Sequence, residues 1–203
     1  MKRESLLQLF EGHQGKVTDK WQLYLEEYER LLTPYRDMPV RLLEIGVQNG
    51  GSLEIWAKYF SQAEIIIGCD IDPACATLEF DDPRITVVVG DVNSDEAQAE
   101  ISAVSSKFDI IIDDGSHNSG DIIRSFGRFF PKLSLGGSYV IEDLHCSYWK
   151  VYEGGLFHPF SSIAFLKSLA DILNRNHWGL ELADDWILEG FKSVYEVGID
   201  RES

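Results

Sequence analysis

Two short segments place acidic and histidine side chains directly after predicted strands. They are IDDGSH, with Asp113, Asp114 and His117, and VIEDLH, with Glu142, Asp143 and His145. The carboxyl ends of neighbouring parallel strands open onto one crevice, so we expect Asp114, Glu142 and Asp143 to be neighbours. Crowded carboxylates repel one another unless a cation neutralises them. Hard oxygen ligands favour Mg²⁺, with Ca²⁺ or Mn²⁺ as alternatives, over zinc.

This set of residues predicts metal-assisted chemistry on an alcohol. A divalent metal orients a hydroxyl group and lowers its pKa as a Lewis acid. His117 is the first candidate for the base that accepts the hydroxyl proton, although a histidine in such a loop is equally often a polar cap. Asp113 is expected to line the adjoining cofactor pocket. The alternatives are that it supports the metal ligands without binding the metal itself, or that it caps the following turn.

The elements that must position these residues alternate along the chain. Strands are predicted at 41–47, 64–70, 84–89, 108–112 and 137–142, with helices near 52–60, 73–79, 95–106 and 121–132. The strand segments are nearly continuous in Ile, Val and Leu, which is typical of strands buried on both faces. We therefore predict an α/β fold, a Rossmann-like doubly wound and mostly parallel sheet with helices on both faces.

The two ends of the chain are predicted separately. Residues 19–32 place Trp21, Tyr24 and Tyr28 at helical spacing, which favours packing onto the core, with closure over the cofactor as the alternative. Residues 160–176 read as a helix and 191–198 as a strand, which leaves little room for a last strand. We predict a single domain over 1–203, with an amino-terminal helical segment at 1–38 and the Rossmann-like core at 39–203.

A glycine-rich turn follows the first predicted strand and precedes a helix. Its spacing, Gly46-xxx-Gly50-Gly51, differs from the GxGxxG pattern that receives a dinucleotide pyrophosphate. Glu44 lies in the strand end and Ser52 begins the helix. An acidic turn suits a sulfonium with an amino-acid tail, so we predict that S-adenosylmethionine binds here, at Glu44, Gly46, Gly50 and Ser52. The absence of the GxGxxG pattern disfavours a nicotinamide-dependent oxidoreductase.

Further acids follow the next two strands. Asp70 closes the second strand and is expected to accept the ribose hydroxyls. Asp91, with Val92 beside it, follows the third strand and is expected to receive the adenine. Any one of these carboxylates alone reads as a solvated loop residue, but three acids in the correct order favour a cofactor pocket.

These motifs carry a resemblance to known enzymes. Residues from about 40 to 145 resemble the class I S-adenosylmethionine-dependent methyltransferases. IDDGSH followed by VIEDLHCSYW closely resembles the metal-dependent O-methyltransferases of the macrolide-sugar (mycinamicin type) and cephamycin-biosynthesis group, which includes rhamnosyl O-methyltransferases. TDKWQLYLEEYERLL looks like the leading helix of that group, so the resemblance covers roughly 17–198.

The resemblance implies roles for individual residues. Asp114, Glu142 and Asp143 would be metal ligands, His117 the catalytic base, and Glu44, Gly46, Asp70 and Asp91 part of the cofactor pocket. His145 stands where relatives often carry another polar residue, so it is a second candidate base. The implied activity is metal-dependent methyl transfer to a sugar hydroxyl in a glycosylated natural product or surface polysaccharide. The alternative is a non-catalytic module of a larger glycan-assembly protein.

Composition restricts the partners. A net charge of −16 argues against a nucleic-acid substrate. No apolar run approaches the ~20 residues of a membrane span, and three cysteines without CxxC spacing fit a cytoplasmic protein.

We expect a small-molecule or glycan acceptor with a vicinal diol. Aromatic residues and two glycines at 147–160 suit sugar rings and a lid, or a packed loop. A homo-oligomer and a larger parent polypeptide both remain open.

Overall fold

Five strands form one sheet in the computed structural model, which describes residues 3–174 and 177. The strands are β1 (Arg41–Ile45), β2 (Ile65–Asp70), β3 (Ile85–Val89), β4 (Phe108–Asp113) and β5 (Leu133–Ile141). Their order is β3-β2-β1-β4-β5. The ladders β1–β2, β1–β4 and β2–β3 are parallel, with Glu44 opposite Gly68 on one side and Ile112 on the other. The predicted parallel α/β sheet is confirmed.

Six helices accompany the strands within the described residues. They are α1 (Leu6–Glu11), α2 (Gln22–Leu32), α3 (Gly51–Tyr59), α4 (Asp95–Val104), α5 (Ser119–Phe129) and α6 (Ser162–Leu173). The predicted helix at 73–79 is instead a 3-10 turn over Pro73–Thr77, which Asp72 caps by accepting from the Ala74 N–H at 2.8 Å. None of the helices described has the length and apolar character needed to cross a bilayer.

Contacts divide the chain into two compact units. The sheet unit comprises Met1–Gly115 and Leu133–Val140, and the second unit comprises Ser116–Lys132 and Ile141–Ser203. The single-domain organisation therefore stays a prediction. The strand predicted at 191–198 lies outside the described residues.

The core of the sheet unit contains aromatic and aliphatic side chains from β1, α2 and α3. Trp56 and Phe60 are fully buried, and the ring of Tyr28 meets the Trp56 ring edge-on at a centroid distance of 5.2 Å. Fully burying one large apolar side chain contributes about 1.5–3 kcal/mol. Tyr28 packs as predicted, but Trp21 is 59% exposed because α2 begins only after it. The predicted core role of Trp21 is wrong.

The second unit packs α5 against α6. The ring of Phe126 stacks on Phe130 at 4.7 Å and meets Phe165 edge-on at 5.6 Å. Ser161 begins α6 by accepting from the Ala164 N–H at 3.3 Å. These contacts pack α5, which begins two residues after His117, against α6.

Candidate active site

The glycine turn between β1 and α3 has a shape that side chains would prevent. Gly46 adopts a φ of +83°, and a Cβ there would lie 2.2 Å from the carbonyl oxygen of Asp114. The Gly46 N–H donates to the carbonyl of Cys69 at 2.8 Å, so the turn is fastened to β2. Gly50 is the N-cap residue of α3 at a φ of +77°, and as a glycine it makes no side-chain cap hydrogen bond. The N–H groups in the first turn of a helix have no partner within the helix and are suited to binding an anionic group.

Glu44 and Ser52, both predicted cofactor residues, contact each other. The Ser52 hydroxyl donates to Oε2 of Glu44 at 2.7 Å, and both side chains are buried. A buried carboxylate is stable only with hydrogen bonds and a compensating charge. The charge comes from Lys20, whose Nζ lies 3.8 Å from Oε1 of Glu44.

Lys20 is a site residue that the sequence reasoning missed. Its side chain is only 3% exposed, and its Nζ donates to Oδ2 of Asp114 at 2.8 Å. The predicted metal ligand Asp114 therefore shares one ammonium with the predicted cofactor residue Glu44. The only signal in the sequence was the position of Lys20 within the TDKW motif.

Asp70 lies at the end of β2, as predicted, and holds the glycine turn from the side. Its Oδ2 accepts from the N–H groups of Val47 and Gln48, each at 2.8 Å, and Oδ1 accepts from Asp72 N–H at 2.9 Å. A carboxylate has about four acceptor positions, so these bonds leave about one for a ribose hydroxyl. The prediction that Asp70 accepts both hydroxyls stays untested.

The other predicted pocket residues lie at the ends of β3 and β4. Asp91 is exposed and accepts from the Asn93 N–H at 2.8 Å, and Val92 beside it is half-buried. Asp113 is buried, and its Oδ1 accepts from the Gly115 N–H at 3.4 Å. Burial, and then the Asp113 charge, raise the pKa of Tyr139 well above its usual range. Asp113 therefore supports the end of β4, and its cofactor role stays a prediction.

The thiol of Cys69 is not a nucleophile. Burial, followed by the nearby charges of Asp70, Asp91 and Glu100, raises the pKa of Cys69 to about 12. A protonated thiol is a poor nucleophile and a poor metal ligand. Cys69 is a small core residue, since its side chain is buried.

The second unit brings both candidate bases to one carboxylate. Nε2 of His117 lies 3.7 Å from Oδ2 of Asp143, and Nδ1 of His145 lies 3.9 Å from Oδ1. All three side chains are partly exposed. His117 and Asp143 have φ values of 58° and 53°, a left-handed conformation that costs a side-chain-bearing residue about 1–2 kcal/mol. Such strain is typical of functional positions.

Glu142 precedes Asp143 and is itself buried. Buried glutamates are rare in proteins unless they are paired with a cation or bound to a metal. Glu142 and Asp143 follow β5, the neighbour of β4 in the sheet order. Each predicted metal ligand therefore comes directly after a strand.

An aromatic pair lies next to the two histidines. The ring of Trp149 meets His145 edge-on at 5.1 Å, and the ring of Tyr152 meets His117 at 6.4 Å. Trp149 is half exposed, so one part of its ring surface is open to a ligand. Aromatic faces of this kind suit the apolar face of a sugar ring.

The loop that carries this pair is held by backbone contacts. Gly154 N–H donates to the carbonyl of Trp149 at 3.0 Å, and Gly155 N–H donates to that of Ser147 at 2.9 Å. A Cβ at Gly154 would lie 2.1 Å from the Ser147 carbonyl oxygen. Gly154 therefore permits a close backbone approach, which agrees with the packed-loop interpretation of this segment.

Comparison with known proteins places this site in a family. Residues 43–144, about half of the chain, match the model of a family described as a methyltransferase domain. The chain is 36% identical over 168 residues to 8-demethyl-8-alpha-L-rhamnosyl tetracenomycin-C 2'-O-methyltransferase of Streptomyces olivaceus, covering 78% of this chain and 43% of that protein. It is 37% identical over 163 residues to mycinamicin VI 2''-O-methyltransferase of Micromonospora griseorubida, covering 75% of this chain and 40% of that protein.

A solved structure has the same fold. The MycE methyltransferase of the mycinamycin biosynthetic pathway, in complex with Mg and SAH, superposes with a TM-score of 0.78 at 31% identity, covering 91% of this chain and 49% of that chain. The chain spans less than half the length of these relatives. The family match begins within β1 and ends at Leu144, so it includes the glycine turn, IDDGSH and the two acids Glu142 and Asp143. The chain therefore belongs to the methyltransferase domain family.

Proposed function

We propose that this protein transfers a methyl group from S-adenosylmethionine to a sugar hydroxyl in a glycosylated natural product or surface polysaccharide, with Mg²⁺ as cofactor. The observation that carries the proposal is the position of two histidines at the two oxygens of Asp143. Family membership supports the methyl donor. The relatives named as sugar O-methyltransferases support the acceptor class.

The residues at the glycine turn fit S-adenosylmethionine. Glu44 provides a buried negative charge for a cationic ligand, and Gly46 leaves backbone space that a side chain would fill. Asp70 retains about one acceptor position for the ribose. We assign the remaining pocket contacts to Gly50, Ser52, Asp91, Val92 and Asp113.

The acidic residues fit a hard divalent cation. We assign Asp114, Glu142 and Asp143 as its ligands because carboxylate oxygens are what Mg²⁺ prefers, with Ca²⁺ or Mn²⁺ as alternatives. When bound, the cation would orient the acceptor hydroxyl and stabilise its developing negative charge. Asp114 lies three residues before His117, so their Cα atoms are at most about 11 Å apart.

His117 accepts the proton in the proposed reaction. The acceptor oxygen forms a bond to the methyl carbon, the sulfur–methyl bond breaks, and the hydroxyl proton passes to the imidazole. A carboxylate at the distance of Asp143 attracts the imidazolium that results. His145 is the alternative base because it lies at nearly the same distance from Asp143.

The acceptor is proposed to be a glycan or small molecule with a vicinal diol, because two adjacent hydroxyls can share one cation. Trp149 and Tyr152 lie beside the histidines, where a sugar ring would pack on them. A related MycE structure contains Mg, SAH and mycinamycin VI. The net charge of −16 supports an acceptor other than nucleic acid.

Three further points stay proposals. The protein works in the cytoplasm, which its three free, buried cysteines support. We propose that the chain forms a homo-oligomer or is part of a longer parent polypeptide. The competing hypothesis, a non-catalytic cofactor- or glycan-binding module, is disfavoured by the strained conformations retained at His117 and Asp143.

Two measurements test the proposed function. Calorimetric titration with S-adenosylhomocysteine should show saturable binding, whereas NADH should not bind. Methyl transfer from labelled S-adenosylmethionine to rhamnosylated and other glycosylated acceptors should require Mg²⁺. Binding of S-adenosylhomocysteine without any transfer to such acceptors would favour the non-catalytic module.

A further inference from the structure

Glu153 joins two segments of the second unit that are distant in sequence. Its Oε2 accepts a hydrogen bond from the N–H of Gly120 at 2.9 Å. Gly120 is the second residue of α5, and His117 lies three residues before it. Glu153 itself directly follows a 3-10 turn over Lys150–Tyr152. The bond therefore fastens this turn to the segment that carries the proposed base.

The start of α5 suits a carboxylate from elsewhere in the chain. The N-cap residue Asn118 makes no side-chain cap hydrogen bond. N–H groups in the first turn of a helix have no partner within the helix, and the helix dipole favours a negative charge beside them. A hydrogen bond to an ionised carboxylate is also stronger than one to a neutral acceptor. Glu153 thus supplies a cap for α5.

The backbone at both positions favours this contact. Glu153 has a φ of 57°, a left-handed conformation that is costly for a residue with a side chain. A Cβ at Gly120 would lie 2.7 Å from Oε2 of Glu153, so the carboxylate approaches a residue whose lack of a side chain leaves it room. A strained residue and an open one therefore meet at the same hydrogen bond.

The turn connects Glu153 to the aromatic pair. The N–H of Glu153 donates to the carbonyl of Lys150 at 3.2 Å, and the N–H of Gly154 donates to that of Trp149 at 3.0 Å. The ring centroids of Trp149 and Tyr152 lie 6.1 Å apart. Because these backbone bonds close the turn, a shift of Glu153 would move both rings.

The two rings in turn contact the two histidines. The Tyr152 ring lies 6.4 Å from that of His117, and the Trp149 ring lies 5.1 Å from that of His145. A sugar packed on these rings would present its hydroxyl groups to the histidines from a distance that the rings determine. Such positioning contributes to the rate of a transfer reaction.

We propose that Glu153 is a positioning residue for the sugar acceptor, which holds Trp149 and Tyr152 beside His117 by capping α5. This inference rests on the proposed function. Glu153 acts through the two rings rather than by contact with the reacting atoms.

Amide hydrogen exchange tests the contact without any substrate. Glu153→Ala removes the acceptor, so the N–H groups of Gly120 and Gly154 should exchange at least about fivefold faster than in the wild type. Glu153→Gln keeps an oxygen that can accept from Gly120 and should stay within about twofold of the wild type. Asp171→Ala, which removes an exposed carboxylate from α6, is the control and should change neither. Unchanged exchange at Gly154 in Glu153→Ala would overturn the proposal.

Steady-state kinetics test the consequence for the acceptor. Glu153→Ala should lower kcat/KM for a glycosylated acceptor about fivefold, while calorimetry shows unchanged affinity for S-adenosylhomocysteine. Glu153→Gln should restore kcat/KM to within about twofold of the wild type. A matching loss of donor affinity would indicate general damage and contradict the proposal. Equal defects in the two variants would contradict it as well, because the hydrogen bond would then not be the cause.

A double-mutant cycle shows whether Glu153 acts through the aromatic pair. In a Trp149→Ala background the ring to be positioned is gone, so Glu153→Ala should lower kcat/KM for the acceptor by less than about twofold further. The same loss in both backgrounds would mean that Glu153 acts independently of Trp149, against the proposal.

The outcomes also separate this inference from the proposed function. A wild-type protein that transfers no methyl group to glycosylated acceptors would refute the proposed function, and hydrogen exchange would then decide whether Glu153 holds the turn. An active wild type with an equally active Glu153→Ala would refute only the role of Glu153. If Glu153→Ala does not fold, Gly120→Ala takes its place, because the added Cβ would displace the carboxylate. Wild-type exchange and kinetics in Gly120→Ala would contradict the proposal.

Discussion

The hydroxyl of Ser52 donates a 2.7 Å hydrogen bond to Oε2 of Glu44, which joins the first turn of α3 to β1 beneath the glycine turn. Both groups are buried, so the bond is made in a medium where an unpaired carboxylate oxygen is costly. This contact links the stability of the turn to the orientation of Glu44, the acid that we propose binds the donor.

Removing that hydroxyl should weaken both folding and donor binding. Ser52→Ala leaves Oε2 without this donor, and we expect a loss of about 1–3 kcal/mol in the free energy of unfolding. Urea unfolding and calorimetry with S-adenosylhomocysteine measure the two effects. Ser105→Ala removes a hydroxyl that bonds to the Lys107 carbonyl at the end of α4, and should change neither.

An alanine scan of two glycines tests the shape of the turn. Gly46→Ala would place a methyl group 2.2 Å from the Asp114 carbonyl at a φ of +83°, so we expect a loss of several kcal/mol, on the order of 2–5, in unfolding free energy. Gly127→Ala lies in α5 with no atom within 4 Å of the new Cβ, and should stabilise by about 0.5–1 kcal/mol. Similar effects of both substitutions on the thermal midpoint would contradict this view.

The two histidines at Asp143 should contribute unequally to turnover. His117→Gln is expected to lower kcat by roughly 10²–10⁴ while binding of S-adenosylhomocysteine is kept. His145→Gln should lower it by less than about tenfold, because the base would remain. Initial rates with a glycosylated acceptor distinguish the two, and the reverse ranking would assign the base to His145.

Metal removal should stop methyl transfer but spare the donor site. Chelation with EDTA is expected to lower the rate by at least about 100-fold, with recovery on adding Mg²⁺. Asp143→Asn should raise the Mg²⁺ concentration needed for half-maximal rate. Asp121→Asn, in an exposed cluster with Ser116 and Arg124, is the matched control and should not. Full activity in EDTA would exclude the metal from the reaction.

Stability should fall in acid through Asp109. Burial alone would raise the pKa of Asp109, but hydrogen bonds from Arg41 and Ser134 outweigh it and hold the pKa below its usual value. A lowered folded pKa gives stability that is complete above the unfolded pKa of about 3.9 and is lost as pH falls through the folded pKa. Urea unfolding between pH 7 and pH 3 should show a smaller acid-induced loss for Asp109→Asn than for the exposed control Glu79→Gln.

The strands could be predicted because their hydrophobic patterns are local. The runs of Ile, Val and Leu located β1, β2 and β4 to within two residues. The positions of the acidic residues at the ends of these strands could therefore be predicted as well. The start of β5 was predicted four residues late, because Leu135 is exposed and Gly136 interrupts the apolar pattern. Trp21 matched the helical spacing, yet α2 begins one residue after it. The spacing of apolar residues does not determine at which residue a helix begins.

The contacts that define the site depend on distant parts of the chain. Lys20 and Asp114 are 94 residues apart, and only the folded sheet unit brings them to 2.8 Å. The convergence of His117 and His145 on Asp143 likewise requires left-handed backbone conformations that the residue types do not specify.

The sequence by itself determined the succession of strands and helices along the chain, the glycine turn, and the identity of the acids and histidines, because these depend on spacing and residue type. Tertiary structure decided which charges meet. Burial makes an uncompensated charge costly, so the buried Glu44 requires a cation nearby. The fold supplies Lys20 from the amino-terminal segment, and Lys20 also contacts the partly exposed Asp114.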